Sequence, residues 1–359
     1  MTSYFVAASL LGLSSLAIAA NFTQVFECNE LDYEWPSDPK RAQALQDGTF
    51  KPEEFYPGYM AVYGERIFLS LEKFDGVPVT LVTMPTSSAS SAPPKLTPFP
   101  SWDMYLNESG NCSKIERPVG LQVDSVGRLW VLEERKFRCG AKLWIFDVND
   151  NKTELIHQFP IHDTIHDLVI DETANETFAY ITRWIEKHIL VFSLERNESW
   201  IVDTPGINVF SIAKDLEPRR LYLSNHRSNE LYSIPIATLR KGTQTANPRL
   251  IGNWTEISAY RMLMDNRGTL YAAFLYENFT SSWNTSQPFQ EERFYQVAGL
   301  KFVWPFTFAL DQNGTLWMTV FDKNRKPKYR LLKAALGAKS YTFKDSPECS
   351  SSCLEIGTA

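Results

Sequence analysis

Five aspartates cut most of this chain into near-equal parts. Each lies between two apolar arms, in the order apolar strand, Asp, tight turn, apolar strand. The copies read VGLQVDSVGRLWVL from Val119, DLVIDETANETFAYIT from Asp167, FSIAKDLEPRRLYLS from Phe210, RMLMDNRGTLYAAF from Arg261 and FTFALDQNGTLWMTV from Phe306. Their turn residues are Asp124, Asp171, Asp215, Asp265 and Asp311, spaced by 47, 44, 50 and 46 residues. A weaker copy, GYMAVYGERIFLSL, surrounds Tyr63 and brings the number to six. A fixed period of this size marks stacked or circular repeats rather than an ordinary sandwich.

The arms are rich in Val, Leu, Ile, Tyr, Phe and Trp, which suits strands. Asp-x-x-Gly, Asn-Arg-Gly and Gln-Asn-Gly supply the positive-φ positions of hairpin turns. Each unit runs on into further strands, such as AKLWIFDV, KHILVFSLE and NELYSIPI. Four short strands per unit is the content of a propeller blade. The expected fold is therefore all-β, a six-bladed β-propeller forming one domain over residues 20–359. The Pro/Ser-rich stretch 85–100 reads as an irregular loop. The segment VFECNELDYEW is expected to pair with the last blade and close the ring, removing an exposed edge.

Residues 5–20, FVAASLLGLSSLAIAA, are too few to span a bilayer, and Ala17-Ile18-Ala19 fits a cleavage site. Residues 1–19 are accordingly expected to be a signal peptide, with no membrane anchor after it. Ten of the 18 Asn lie in N-x-[ST] sequons. They are Asn21, Asn107, Asn111, Asn151, Asn175, Asn197, Asn253, Asn278, Asn284 and Asn313. That excess implies a heavily N-glycosylated extracellular protein, although Asn21 is close to the cleavage point. Five Cys fit an oxidising compartment. Cys112 and Cys139 flank a predicted hairpin and are the expected disulfide. Cys28 is left to Cys349 or Cys353, or the latter two close a local loop.

Searches for chemistry return little. The net charge of −6 and pI near 5.5 lack the basic excess of a nucleic-acid binder. There is no Gly-x-Gly, no G-x-S-x-G and no H-E-x-x-H. His157, His162 and His166 cluster in sequence, but the segment runs into a strand, where that spacing builds no compact metal site. The basic run Lys323 to Arg330 reads as a solvated turn. Neither a metal nor an organic cofactor is expected. The innermost strands should begin near Pro118, Asp167, Ser211, Arg261 and Thr307, facing the axial channel. Asp167 is the one carboxylate in that ring; it is placed to bind a cation, accept from an amine or pair with Arg261, and some partner is expected because a buried unpaired carboxylate is costly. Phe210, Tyr260, Phe306 and Phe321 are placed to stack on a flat ligand or to pack between blades.

Several blocks resemble the yellow / major royal jelly protein family of insects. They include ELDYEWPSDPKRAQALQDGTFKPEE, FDGVPVTL with Phe74 in a Trp position, RPVGLQVDSVGRLWVLEE, ETFAYIT, NESWIV and LYSIPIATLR. The resemblance implies a six-bladed propeller and secretion. It also implies roles ranging from pigmentation and dopachrome conversion to royal-jelly nutrition and amine binding in saliva. At the positions where amine binders carry polar channel contacts, this chain has Ala298 and Phe321-Asp322-Lys323. Family Cys positions are taken by Ser282 within Ser281-Ser282-Trp283-Asn284 and by Val126. The expectation is a non-catalytic binder of a small aromatic or apolar ligand, or of an extracellular protein partner, at the channel face. Phe74, Asp167, Phe210, Arg261, Phe306 and Phe321 are its candidate binding residues. The alternative is a dopachrome-tautomerase-like enzyme, which needs a base and a group to stabilise enolate-like charge; Asp167 with Arg261 or His166 is its candidate constellation.

Overall fold

A computed structural model describes residues 21–343, apart from 88–92, 106–110, 135–138, 161–163, 217–218, 241, 243 and 298–305. Six four-stranded antiparallel sheets stand in a ring, so the chain is a six-bladed β-propeller, as the repeat implied. The expected signal peptide, Asn107, His162, Ala298, Cys349 and Cys353 lie outside the described residues.

Strand β1 (Thr23–Cys28) and helix α1 (Asp38–Gln46) come first. Blade one is β2 (Pro57–Tyr63), β3 (Arg66–Leu71), β4 (Leu81–Pro85) and β5 (Thr97–Pro98). Blade two is β6 (Pro118–Val123), β7 (Arg128–Glu133), β8 (Lys142–Asp147) and β9 (Lys152–Gln158). Blade three is β10 (Leu168–Glu172), β11 (Thr177–Thr182), β12 (His188–Ser193) and β13 (Glu198–Asp203). Blade four is β14 (Val209–Lys214), β15 (Arg220–Asn225), β16 (Glu230–Pro235) and β17 (Arg249–Asn253), with the short helix α2 (Ala237–Arg240) before β17. Blade five is β18 (Ala259–Met264), β19 (Thr269–Phe274), β20 (Phe279–Asn284) and β21 (Glu292–Gln296). Blade six is β22 (Thr307–Leu310), β23 (Thr315–Phe321) and β24 (Tyr329–Ala335), completed on its outer side by β1.

Each blade runs from an innermost to an outermost strand, and burial follows that order. The inner strands β14 and β18 are buried throughout, whereas the outer strands β9 and β13 are mostly exposed. Inner strands meet neighbouring blades on both faces, which explains their continuous apolar runs. The cores lie between adjacent blades: Phe68, Leu81, Leu129 and Trp144 join blades one and two, and Leu263, Ala273, Phe306 and Met318 join blades five and six.

The repeated aspartates are turn clamps. Asp311 Oδ1 accepts from the Asn313 and Thr315 N–H groups at 2.8 and 2.9 Å, and its Oδ2 accepts from Trp317 Nε1 at 3.0 Å. Asp124 repeats this with Val126, Arg128 and Trp130, and Asp265 with Arg267, Thr269 and the Tyr271 hydroxyl. One carboxylate thus fixes a turn and ties it to the aromatic six residues on. The copies at Asp171 and Asp215 differ. Asp171 heads a longer turn and instead binds the Tyr180 hydroxyl, Lys214 and Arg240. Asp215 Oδ2 accepts from Thr285 of the next blade at 3.1 Å.

Two segments close the ring. β1 pairs antiparallel with β24, from Thr23↔Lys333 to Cys28↔Tyr329, as the sequence led us to expect. The segment after blade six then folds across the channel at the turn end. The Asn266 N–H donates to the Lys339 carbonyl at 2.8 Å, and the Lys339 N–H to Asn266 Oδ1 at 3.0 Å. The buried Tyr341 hydroxyl accepts from the Ile170 N–H at 3.0 Å. Lys214 Nζ lies 4.9 Å from the Tyr341 ring centre. Cys112 and Cys139 form the expected disulfide. Cys28 forms none among the described residues, and burial pushes its thiol up to about 11.

The clamps can be tested directly. Asp311→Ala leaves two turn N–H groups and the Trp317 N–H without their acceptor, so it should lower unfolding free energy by roughly 2–4 kcal/mol. Urea titration checks this, and a loss within the scatter of ordinary surface variants would contradict the clamp.

Candidate functional site

The inner strands begin at one end of the ring, which we call the mouth; the clamped turns lie at the other. Near the mouth, four inner strands carry a register irregularity: Pro57/Met60, Pro118/Gly120, Val209/Ile212 and Ala259/Arg261. Bulges re-aim side chains. Here the irregular stretches carry Tyr59, Phe210 and Tyr260, which converge with His166 from the segment entering β10.

The convergence is tight. His166 stacks on Phe210 with ring centres 4.5 Å apart and meets Tyr260 edge-on at 4.9 Å. Its Nδ1 lies 2.8 Å from the Tyr59 hydroxyl, which comes from blade one, and 3.1 Å from the Phe210 carbonyl. That carbonyl can only accept, so Nδ1 carries the proton that it takes. Burial, then the Arg261 charge, push the His166 pKa down to about 3.

Asp167 and Arg261 form an ion pair, one of the three roles the sequence left open to Asp167, and both are buried. Asp167 Oδ1 also accepts from the Leu168 N–H at 2.9 Å. The Arg261 guanidinium lies 4.8 Å from the Tyr59 ring centre. Burial lifts the Asp167 carboxyl to about 6, against the opposing pull of Arg261. Hydroxyls tie these strands together. Thr182 donates to the Phe210 carbonyl at 3.0 Å, and Ser211 to the Ala259 carbonyl at 2.7 Å.

Side chains of blades one, three and five therefore fill the waist of the channel. Below it lies a cavity of about 20 Å³, room for one water, between Arg261, Gln122, Ser340 and Thr342. Above it the rings continue. Trp184 meets His226 edge-on at 4.9 Å, and His226 lies 5.0 Å from Phe210. Trp184, His226 and His166 are half-buried, so they line a shallow aromatic bowl. Burial pushes the nearby Glu72 carboxyl up, with Arg117 opposing.

Among the predicted binding residues, the structure brings together Asp167, Phe210 and Arg261, and with them His166. It does not bring Phe306, Phe321 or Phe74 there. Phe306 is fully buried between blades five and six. Phe321 stacks on Tyr329 at 5.0 Å in the core joining blades six and one. Phe74 is exposed on the mouth face, 4.9 Å from Tyr56, which in turn packs on Phe321. These three aromatics satisfy inter-blade or rim packing. Sequence reasoning missed Tyr59, Trp184 and His226. Tyr59 occupies the place in its inner strand that Asp167 and Ser211 occupy in theirs, its N–H donating to Ser70 as theirs do to Thr182 and Ser224, and alignment of the weak first repeat would have exposed it. Trp184 and His226 follow second strands, where no periodic signal operates. His157 sits on β9, 2.9 Å from Asn197 and away from His166. No metal-holding cluster of His, Cys, Asp or Glu occurs among the described residues.

Six four-stranded blades closed in a ring, with aromatic side chains converging at one mouth, define a six-bladed β-propeller. A family model described as "Major royal jelly protein" matches residues 118–214 and 203–334. The chain belongs to that family. It is 24% identical to "Protein yellow" of Drosophila guanche over 82% of this chain and 60% of that protein. It is 22% identical to "Protein yellow" of Drosophila melanogaster, again over 82% of this chain and 63% of that one. The chain thus spans about three-fifths of the length of the curated relatives it matches. A solved structure described as a luciferin-regenerating enzyme shares the fold, with a TM-score of 0.51 and 12% identity, over 82% of this chain and 95% of that one.

The bowl makes a pH prediction. His166 ordinarily titrates near 6.5 but only about 3 when folded, so below pH 6.5 the unfolded chain binds the extra proton and stability falls with pH. Asp167 works oppositely between about 6 and 3.8, where the folded state holds the proton. The two offset in wild type. His166→Gln removes one term, so between pH 6.5 and 4 the variant should gain on wild type by ~1 kcal/mol per pH unit. Parallel stability curves from urea titrations across this range would refute it.

Proposed function

We propose that the protein is a secreted, N-glycosylated binder of small flat aromatic molecules, held at the channel mouth without chemical conversion. The observation that carries this is the aromatic bowl of Trp184, Phe210, His226, His166 and Tyr260 above a waist already filled by protein. A filled waist excludes passage and leaves a one-ended recess. Flat rings gain from stacking on such walls, and a few polar edges fix their orientation. Asp167 is fully buried and committed to Arg261, so it has no path to a bound molecule's proton. The disulfide and the exposed sequons Asn151, Asn175, Asn197, Asn253, Asn284 and Asn313 support the extracellular reading.

Calorimetry against indoles, phenols, their amines and sterols tests the proposal. Phe210→Ala should weaken any aromatic ligand by ~10-fold, the value of about one lost ring contact. Phe321→Ala should leave affinity unchanged in the fraction that folds. Absence of heat with every compound would overturn the reading.

One observation favours a second reading, a tautomerase acting on quinone-like pigment precursors. Asp167, its carboxyl lifted to about 6, is next in sequence to His166, whose Nδ1 meets the Tyr59 hydroxyl at the mouth. On that reading Asp167→Asn abolishes dopachrome turnover while calorimetric binding persists. Unchanged turnover would dismiss it.

A further inference from the structure

The channel carries a second feature at the end opposite the aromatic bowl. There blades one, two, five and six meet the segment after blade six around a cavity of about 20 Å³. Much of its wall is apolar, as at Val62, Leu263 and Leu310. Its polar side chains are Arg261, Gln122, Ser340 and Thr342, and no carboxylate among the described residues lines it. The segment after blade six is held in place over it. The Ser340 N–H donates to the Asp311 carbonyl at 3.3 Å, and Ser340 pairs with Asp265 in an isolated antiparallel bridge.

Arg261 reaches this cavity with one donor unspent. Its Nη1 donates to Asp167 Oδ1, and its Nη2 lies 3.5 Å from the Leu121 carbonyl. Its Nε–H is buried and has no hydrogen-bond partner. Nε–H and Nη1 lie on different edges of the rigid guanidinium fork, so Asp167 does not cover it. A buried donor of a charged group is costly to leave unpaired, which favours an acceptor beside it. Ser340 Oγ and Thr342 Oγ1 lie 3.1 Å apart, and both residues are buried. One hydroxyl donates to the other, and the second keeps a hydrogen to donate onward. The half-buried Gln122 adds an amide donor to the same wall.

Donors thus converge from blade two, blade five and the segment after blade six, among apolar walls that screen charge weakly. The clamp carboxylates Asp124, Asp265 and Asp311 do not compete for them, because each uses both oxygens within its own hairpin. An acceptor with no hydrogens of its own suits such a wall better than water, which must also place two hydrogens. We propose that the cavity binds a monovalent inorganic anion of chloride size. It accepts from Arg261 Nε, the Gln122 amide and the Ser340–Thr342 hydroxyl pair. Such an ion joins the segment after blade six to blades two and five, and the aromatic mouth plays no part in holding it.

Thermal melts of the full-length protein at constant ionic strength test this, with chloride exchanged for gluconate. Chloride at ~100 mM should raise the folded-to-unfolded ratio at the gluconate midpoint by about 10-fold, the effect of a Kd of ~10 mM. Gln122→Leu removes the amide donor at similar size, and Ser340→Ala removes a hydroxyl. Each should cut the chloride effect to ~3-fold or less. The readout is the difference between the two salts, so a variant that is merely less stable still reports on the site. Crystals soaked in bromide, read at the bromine absorption edge, should show an anomalous peak bounded by Arg261, Gln122 and Ser340. No chloride effect in the wild type would overturn the inference, and so would an effect of equal size in both variants. A bromide peak without a chloride effect in solution is binding at crystal concentration only, and it also overturns the inference.

Discussion

Everything in this molecule depends on closing a ring. Six blades can bury their inner strands on both faces only if the last blade meets the first, and a gap would leave a row of unpaired backbone groups. The chain meets that need by adding β1, from its beginning, to the outside of β24, near its end. The segment through Tyr341 adds a second tie inside the channel, reaching Ile170 of blade three and Asn266 of blade five. Outer pairing fixes the circumference, and the inner crossing fixes the floor.

The closed ring sets the chemistry at its axis. Inner strands from blades one, three and five face each other over a short gap, so long side chains meet across it. Arg261 reaches Asp167, and Tyr59 reaches His166. These contacts bury polar groups that then require one another; removing one partner would strand the other. The same contacts fill the waist, and the cluster of aromatic rings lies above it. Side chains that stabilise the ring thereby also set the depth of the recess.

The strands and their order were legible because inner strands are apolar throughout and the turns repeat a carboxylate. Asp124, Asp265 and Asp311 perform one local task, so their spacing survives sequence divergence within the chain. Asp171 and Asp215 still meet a tyrosine of their own hairpin, Tyr180 and Tyr222, but add partners from other blades, Arg240 for the first and Thr285 for the second. At the site, Asp167 and Arg261 were legible because opposite charges at strand starts need each other. Phe306 and Phe321 misled because an aromatic near a strand end serves the inter-blade core as readily as the channel. The bulges that decide between the two outcomes leave no mark in hydrophobic periodicity.

Sequence alone determined the number of blades, the clamped turns, the strand that closes the ring and the Cys112–Cys139 bridge. Those features rest on local chemistry repeated at a fixed interval, and local chemistry is written residue by residue. Tertiary structure alone decided that Tyr59 crosses to His166, that Trp184 and His226 join Phe210, and that Tyr341 covers the channel floor. Each of these contacts joins residues far apart in the chain, and only the curvature of the closed ring sets the distance between them.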